Sequence, residues 1–419
     1  MRTVWLFLRS KDLFGYDDRV FDLLLQHEPD FLSRITTLSL VLTHDSNHFP
    51  SVIKLFQASP LISFSLKTVT RDIDEYRILQ PLESLRTMGK LVISASPTSQ
   101  FWSSIVASWR NLTSVDFVEE QCDSTLEDAL PALSLLPNLC HLRINIENMV
   151  ETKSNTYFFP AIEVVEATFF QGDGAIQFFK AIRFSCLKKL DATIDELQSD
   201  NFFLAFFTVI GTTIHNSLTS LKLHVIIPEQ GVSETRIQEG IPEEELRGEK
   251  LSEMSLRKLF SCEHLTFLKI KPAISCHALT NSFYACLASV WPRLERFYLG
   301  GDLLFHPIQP VATVDGLVAF LEGAQNIQRV NFPYSGISVG EYPKNRAYKT
   351  LEKIGIFFNS KEDLQSYLSW VNLCCPNICY IGILPGRASR DQALSRTLKG
   401  MRKGGCVVDE KPLLVWYVD

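Results

Sequence analysis

The chain has 419 residues, 46% of them hydrophobic, and 41 Lys and Arg against 47 Asp and Glu give a net charge of −6. That apolar share supports a folded protein with a sizeable core, and the near balance of charge excludes a global pull toward nucleic acid or anionic membrane. The longest strongly apolar run, Phe202 to Ile210, is about half of the roughly 20 residues that cross a bilayer, so no transmembrane helix is expected.

The first segment, residues 1–30, reads as an N-terminal helical cap. Asp17-Asp18 stands ahead of Val20, Phe21, Leu23, Leu24 and Leu25, an acidic first turn followed by helical spacing. The run Val4 to Leu8 is shorter than the roughly 7–15 residues of a signal-peptide core. The 10 cysteines follow no regular frame. Both features favour a reducing compartment, cytoplasmic or nuclear, with thiols serving as small core residues.

From residue 31 a frame recurs: apolar-x-x-apolar-x-apolar. It appears at Ile35/Leu38/Leu40, Leu61/Phe64/Leu66, Met88/Leu91/Ile93, Leu112/Val115/Phe117, Leu139/Leu142/Ile144, Ile162/Val165/Ala167 and Leu187/Leu190/Ala192. It returns at Leu218/Leu221/Leu223, Leu265/Leu268/Ile270, Leu294/Phe297/Leu299, Ile327/Val330/Phe332, Leu351/Ile354/Ile356 and Ile378/Ile381/Ile383. These 13 copies start 23 to 47 residues apart, close to the ~20–29 residues of a leucine-rich repeat. Helical spacing fills the intervals, as in Phe101/Trp102/Ile105/Val106/Trp109, Leu126/Ala129/Leu130/Leu133, Phe203/Phe206/Phe207 and Phe283/Leu287/Val290. A strand returning through a helix pairs in parallel with the strand before it. The fold class is therefore α/β: an irregular leucine-rich-repeat solenoid, or horseshoe, over 31–390, with a parallel concave sheet and outer helices. Between the copies at Leu218 and Leu265, residues 228–250 carry seven Glu, three basic residues and two prolines, an acidic surface insertion. Residues 391–419 read as a C-terminal cap, helical over 391–403 and extended at Cys406-Val-Val408 and Leu413 to Val418.

In this frame the apolar side chains enter the core, and alternation turns the residues between and just after them onto the concave face. In the first half these are small, polar and mixed in sign, among them Lys90, Ser114, Asp116, His141, Arg143 and Glu166. From the seventh copy onward they are Lys189, Asp191, Ser220, Lys222, His224, Phe267, Lys269, Lys271, Arg296, Tyr298, Arg329, Asn331 and Lys353. Seven fixed cations stand against one carboxylate. With strands about 4.8 Å apart this makes a basic ridge around Phe267 and Tyr298, suited to an acidic or phosphorylated protein partner. The same cations would also simply solvate an exposed sheet face.

Other signals carry less. Cys262, His264, Cys276 and His277 are metal-ligand types, but they flank a strand rather than sharing a knuckle. Gly172-Asp-Gly174 is too short for a phosphate loop and reads as a turn. Asn111-Leu-Thr113 matches a glycosylation acceptor whose Leu112 is a core position. The phenylalanines from Phe158 to Phe207 fall at core spacing. Asp116, His141 and His224 are the titratable residues an enzyme would draw on, and they lie on different strands with no evident partner. The residues thus imply a non-enzymatic chain with no cofactor or metal.

The phrases Leu139-Cys-His-Leu-Arg-Ile144, Leu218-Thr-Ser-Leu-Lys-Leu223 and Leu265-Thr-Phe-Leu-Lys-Ile270, with their irregular spacing, resemble the leucine-rich-repeat half of fungal F-box proteins. The resemblance runs from about Phe31 to the C-terminus. It implies a substrate receptor of a cullin-RING ubiquitin ligase, contacting the ligase adaptor through an F-box. Residues 1–30 contain no recognisable F-box, and the Asn or Cys usual three residues beyond the frame is replaced by Thr43, Glu147, Asp195, Ile226 and Ala273. The alternative is a repeat scaffold or small-GTPase regulator unconnected with ubiquitination.

Overall fold

A computed structural model describes residues 2–8, 26, 32–42, 53, 56, 59–68, 85, 88–94, 99–117, 126–146, 156–195, 198–226, 251–271, 276–300, 310–334, 347–358, 361–385 and 407–409. The chain divides into two compact units, Met1–Leu187 and Lys188–Asp419. Each is a mixed α/β arrangement built on a parallel sheet.

In the first unit the sheet contains β1 (Arg2–Leu8), β2 (Ile35–Leu42), β3 (Ser63–Thr68), β4 (Lys90–Ser94), β5 (Ser114–Phe117), β6 (His141–Ile146) and β8 (Val164–Phe169), every pair parallel. Helices α1 (Ser99–Ser108) and α2 (Leu126–Leu133) make the crossovers on either side of β5. Two short strands, β7 (Tyr157–Phe159) and β9 (Ile182–Phe184), pair separately around α3 (Gly172–Ala181).

The second unit orders its strands as β10 (Lys189–Ile194), β11 (Ser220–Val225), β12 (Phe267–Lys271), β13 (Arg296–Leu299), β14 (Arg329–Asn331), β15 (Lys353–Phe358), β16 (Tyr380–Pro385) and β17 (Val407–Asp409). They too are parallel throughout. The crossovers are α4 (Asp200–Thr213), the short α5 (Glu253–Arg257) with a 3-10 turn after it, α6 (Asn281–Val290), α7 (Val314–Gly323) and α8 (Lys361–Cys374).

The recurring frame is the core. Each of its apolar positions whose side chain is described is buried, except the half-exposed Ile378. The phenylalanines pack as core spacing requires: Phe169, Phe178 and Phe179 contact one another, as do Phe202, Phe203, Phe206 and Phe207. Phe158 is the exception, exposed on β7.

Two readings change. Arg2–Leu8, inside the segment read as a helical cap, is a strand, because its β-branched and aromatic residues pair in parallel with β2. The helix expected at Asp17 to Leu25 lies outside the described residues. Gly172-Asp-Gly174, read as a turn, is the first turn of α3. Val407 and Val408 are extended as expected, within β17, whereas Cys406, the insertion at 228–250, residues 391–403 and Leu413 to Val418 lie outside the described residues.

A hydrogen-bond ladder replaces the missing asparagine positions. One residue ahead of the frame, Asn138, Asn326, Thr350 and Asn377 donate side-chain bonds to the carbonyls of Arg110, Pro292, Gln325 and Lys349 in the preceding copy. One residue inside the frame, Thr113, Cys140, Thr219, Thr266 and Cys379 donate to Gly89, Thr113, Lys188, Thr219 and Glu352 in the same way. The second set adds a side-chain donor to carbonyls that already accept backbone N–H groups from the next copy, such as Thr219 O from Thr266 N and Phe267 N.

In the second unit, helix starts are tied in sequence. Asp200 Oδ1 accepts from Ser252 N and Ser255 Oγ, both at 2.8 Å. Glu253 Oε1 accepts from Thr280 N at 3.2 Å and Thr280 Oγ1 at 2.6 Å. Asn281 Oδ1 accepts from Thr313 N at 2.8 Å, and its Nδ2 donates to Thr313 Oγ1 at 3.0 Å. Ser252, Thr280 and Thr313 are themselves N-caps, so the first residue of each helix fastens the cap of the next. Helices α6 and α7 meet closely, since a Cβ on Gly323 would lie 2.6 Å from Ala288 Cβ.

Candidate functional site

Alternation along the strands of the second unit gives the candidate face its residues. In β12 the pattern is half-exposed Phe267, buried Leu268, half-exposed Lys269, buried Ile270, half-exposed Lys271. The neighbouring strands repeat it. Register then decides which side chains meet.

One row runs Ser220, Phe267, Arg296, Arg329, Lys353, Tyr380 across β11 to β16. A second runs Asp191, Lys222, Lys269, Tyr298, Asn331 across β10 to β14. A third places His224 beside Lys271. The structure thus brings all ten candidate residues onto one sheet face. Tyr380 joins them. It occupies the outward position of the thirteenth copy, so the rule that found the others reaches it too, and Lys353 Nζ stands 5.7 Å from its ring centroid. Glu295 and Glu352 stand one residue before the row.

The cations are unevenly compensated. Lys222 Nζ lies 2.8 Å from Asp191 Oδ2. Among the described residues no ion pair forms to Lys269, Lys271, Arg296, Arg329 or Lys353. Burial, then the charges of Lys271 and Lys222, pull the Lys269 ammonium below the usual lysine range, with Asp191 opposing. Phe267 and Tyr298 meet edge to face, ring centroids 6.1 Å apart. Burial pushes the Tyr298 phenol up, partly offset by the charge of Arg329, a hydrogen bond with it, and the charge of Arg296. Arg329 Nε is buried without an acceptor among the described residues.

The first unit uses its outward positions differently. Asp116, Arg143 and Glu166 are in register on β5, β6 and β8. Arg143 Nε lies 3.8 Å from Asp116 Oδ1 and 3.7 Å from Glu166 Oε2. His141 Nε2 is 3.7 Å from Glu166 Oε1, and its Nδ1 is 3.3 Å from Ser114 Oγ. Positions expected to lack partners therefore form one acid-base network. Burial raises the Asp116 carboxyl, with Arg143, Lys90 and His141 opposing.

The sulfur and imidazole groups flanking β12 do not converge. Cys262 is buried and its thiol pushed up to about 12; Cys276 is buried and raised further; His264 is exposed. Among the described residues no group of three His, Cys, Asp or Glu is placed to hold a metal ion. Nor is any described helix long and apolar enough to cross a membrane.

In comparisons with known proteins, no family model and no curated protein matches this sequence.

Proposed function

We propose that this chain is a leucine-rich-repeat solenoid that recognises an acidic or phosphorylated protein partner through the sheet face of its second unit, without catalysing a reaction. The observation that carries this reading is the register of like charges. Lys222 faces Lys269, Arg296 faces Arg329, and Arg329 faces Lys353 on adjoining strands. Like charges directly opposite destabilise a sheet, so the arrangement works against folding and is accounted for by an anionic partner. Arg and Tyr at its centre are the residue types that anchor interfaces.

The resemblance of the frame to F-box repeat proteins supports a more specific role, the substrate receptor of a cullin-RING ubiquitin ligase in cytoplasm or nucleus. A repeat scaffold or small-GTPase regulator is the alternative. Affinity recovery from source-cell lysate with tagged full-length chain tests both. Acidic or phosphorylated partners are expected with the wild type and lost with Lys269→Glu/Arg296→Glu/Arg329→Glu; unchanged recovery sinks the recognition face. Co-recovery of ligase adaptor and cullin supports the receptor role, and partners without these subunits support the scaffold.

A further inference from the structure

We infer that the cationic face of the second unit is bipartite, taking an extended peptide whose two anionic groups lie four residues apart with an apolar residue midway. This rests on the reading of that face as a recognition surface, and it concerns how the partner is read. The registers divide the cations into two groups. Lys222, Lys269 and Lys271 cluster across β11 and β12, with Asp191 compensating one of them. Arg296, Arg329 and Lys353 form a line across β13, β14 and β15 with no carboxylate paired to them among the described residues.

Between the groups stand Phe267 and Tyr298. Phe267 is in the row of the arginines and Tyr298 in the row of the lysines, so the aromatic pair runs along the opposite diagonal and crosses the line joining the two cationic groups near its midpoint. With strands about 4.8 Å apart and outward residues about 6.6 Å apart along each strand, the group centres are separated by roughly 14 Å. An extended peptide advances about 3.3 Å per residue, which sets the spacing at about four.

Chemistry assigns the ends. Two guanidinium groups side by side match the oxygens of a phosphorylated side chain through paired charge-assisted hydrogen bonds. The lysine cluster is a set of point charges, weakened by Asp191, and accepts a carboxylate or a phosphate with little geometric demand. An apolar side chain midway would cover the Phe267 and Tyr298 rings and exclude water from both ends.

The test is fluorescence anisotropy with purified full-length chain and labelled Gly/Ser peptides of equal length and charge. The peptides carry two phosphoserines spaced one, four or eight residues apart, with a leucine midway in the spacing-of-four peptide. That peptide is expected to bind at least tenfold more tightly than the other two. Arg296→Ala/Arg329→Ala is expected to remove this preference, and replacing the leucine by glycine to matter in the wild type but not in Phe267→Ala/Tyr298→Ala. Equal affinity for all spacings overturns the bipartite reading, as does binding to none, or stronger binding of a single-stranded oligonucleotide of equal charge. If partner recovery is still lost on the triple charge reversal in those cases, the recognition face stands and only the spacing rule falls.

Discussion

The two units present their outward strand positions in opposite ways. On the first, charges alternate across the strands, Asp116 to Arg143 to Glu166, and His141 sits between Ser114 and Glu166. On the second, cation faces cation at three registers, and among the described residues one ion pair, Lys222 with Asp191, compensates. The same repeat frame builds both. The difference shows that the frame fixes where a side chain points while leaving its electrostatic job open: the first unit spends charge on its own cohesion, and the second keeps charge for something else. Its cohesion lies on the helix side instead, in the tied helix starts and the close α6–α7 contact.

That division makes its strongest forecast on the helix side. Gly323→Val forces α6 and α7 apart at Ala288 and should lower stability by about 2–3 kcal/mol in urea unfolding. Peptide binding at the face should be unchanged under conditions where the variant is still folded. Next in size is a paired comparison. Arg143→Ala removes the paired cation of the largely buried Asp116 carboxylate and should cost about 1–2 kcal/mol at neutral pH, while Arg296→Ala should stay within about 0.5 kcal/mol. Equal costs would erase the contrast between the two faces.

Acidification sharpens the same comparison. Because burial raises the Asp116 carboxyl, the native state takes up its proton at higher pH than the unfolded chain does. Stability from this group is therefore gained, not lost, as pH falls through its raised value toward the ordinary carboxylate range. The cost of Arg143→Ala should shrink across that window, and a cost growing toward acid pH would contradict it. Asn281→Ala, which removes both bonds to Thr313, should cost about 1 kcal/mol, and Asn281→Asp less, since the acceptor for Thr313 N survives.

The smallest effect concerns Lys269. Its depressed ammonium means that the native state holds the proton less tightly than the unfolded chain. The charged form thus costs stability at neutral pH, and the cost fades as pH rises through the depressed value. Lys269→Gln should raise stability by a few tenths of a kcal/mol while weakening peptide binding. A variant that gains neither stability nor loses affinity would make the lysine an ordinary solvated residue.

Much of this was legible before any coordinates. The apolar frame named the core, and period-2 alternation put Lys222, His224, Phe267, Lys269, Lys271, Arg296, Tyr298, Arg329, Asn331 and Lys353 on one face, because burial of the frame allows only one orientation. Tyr380 was equally within reach of that rule. Arg2–Leu8 was not: a short strand with no copy of the frame has no signal beyond β-propensity, and its partner strand supplies the pairing. The Asn138, Asn326 and Asn377 ladder was visible only as a Pro-Asn or Gln-Asn habit ahead of the frame, without the acceptor that gives it a purpose.

The sequence by itself determined the repeat, the parallel crossovers and the direction of each outward side chain, since these depend on local periodicity and on hiding apolar surface. Only tertiary structure decided which charges meet. Asp116 and Arg143, or Arg296 and Arg329, come from copies 27 and 33 residues apart in the frame. Whether they face each other depends on strand register to a single residue, and register is set by the packing of whole copies against one another.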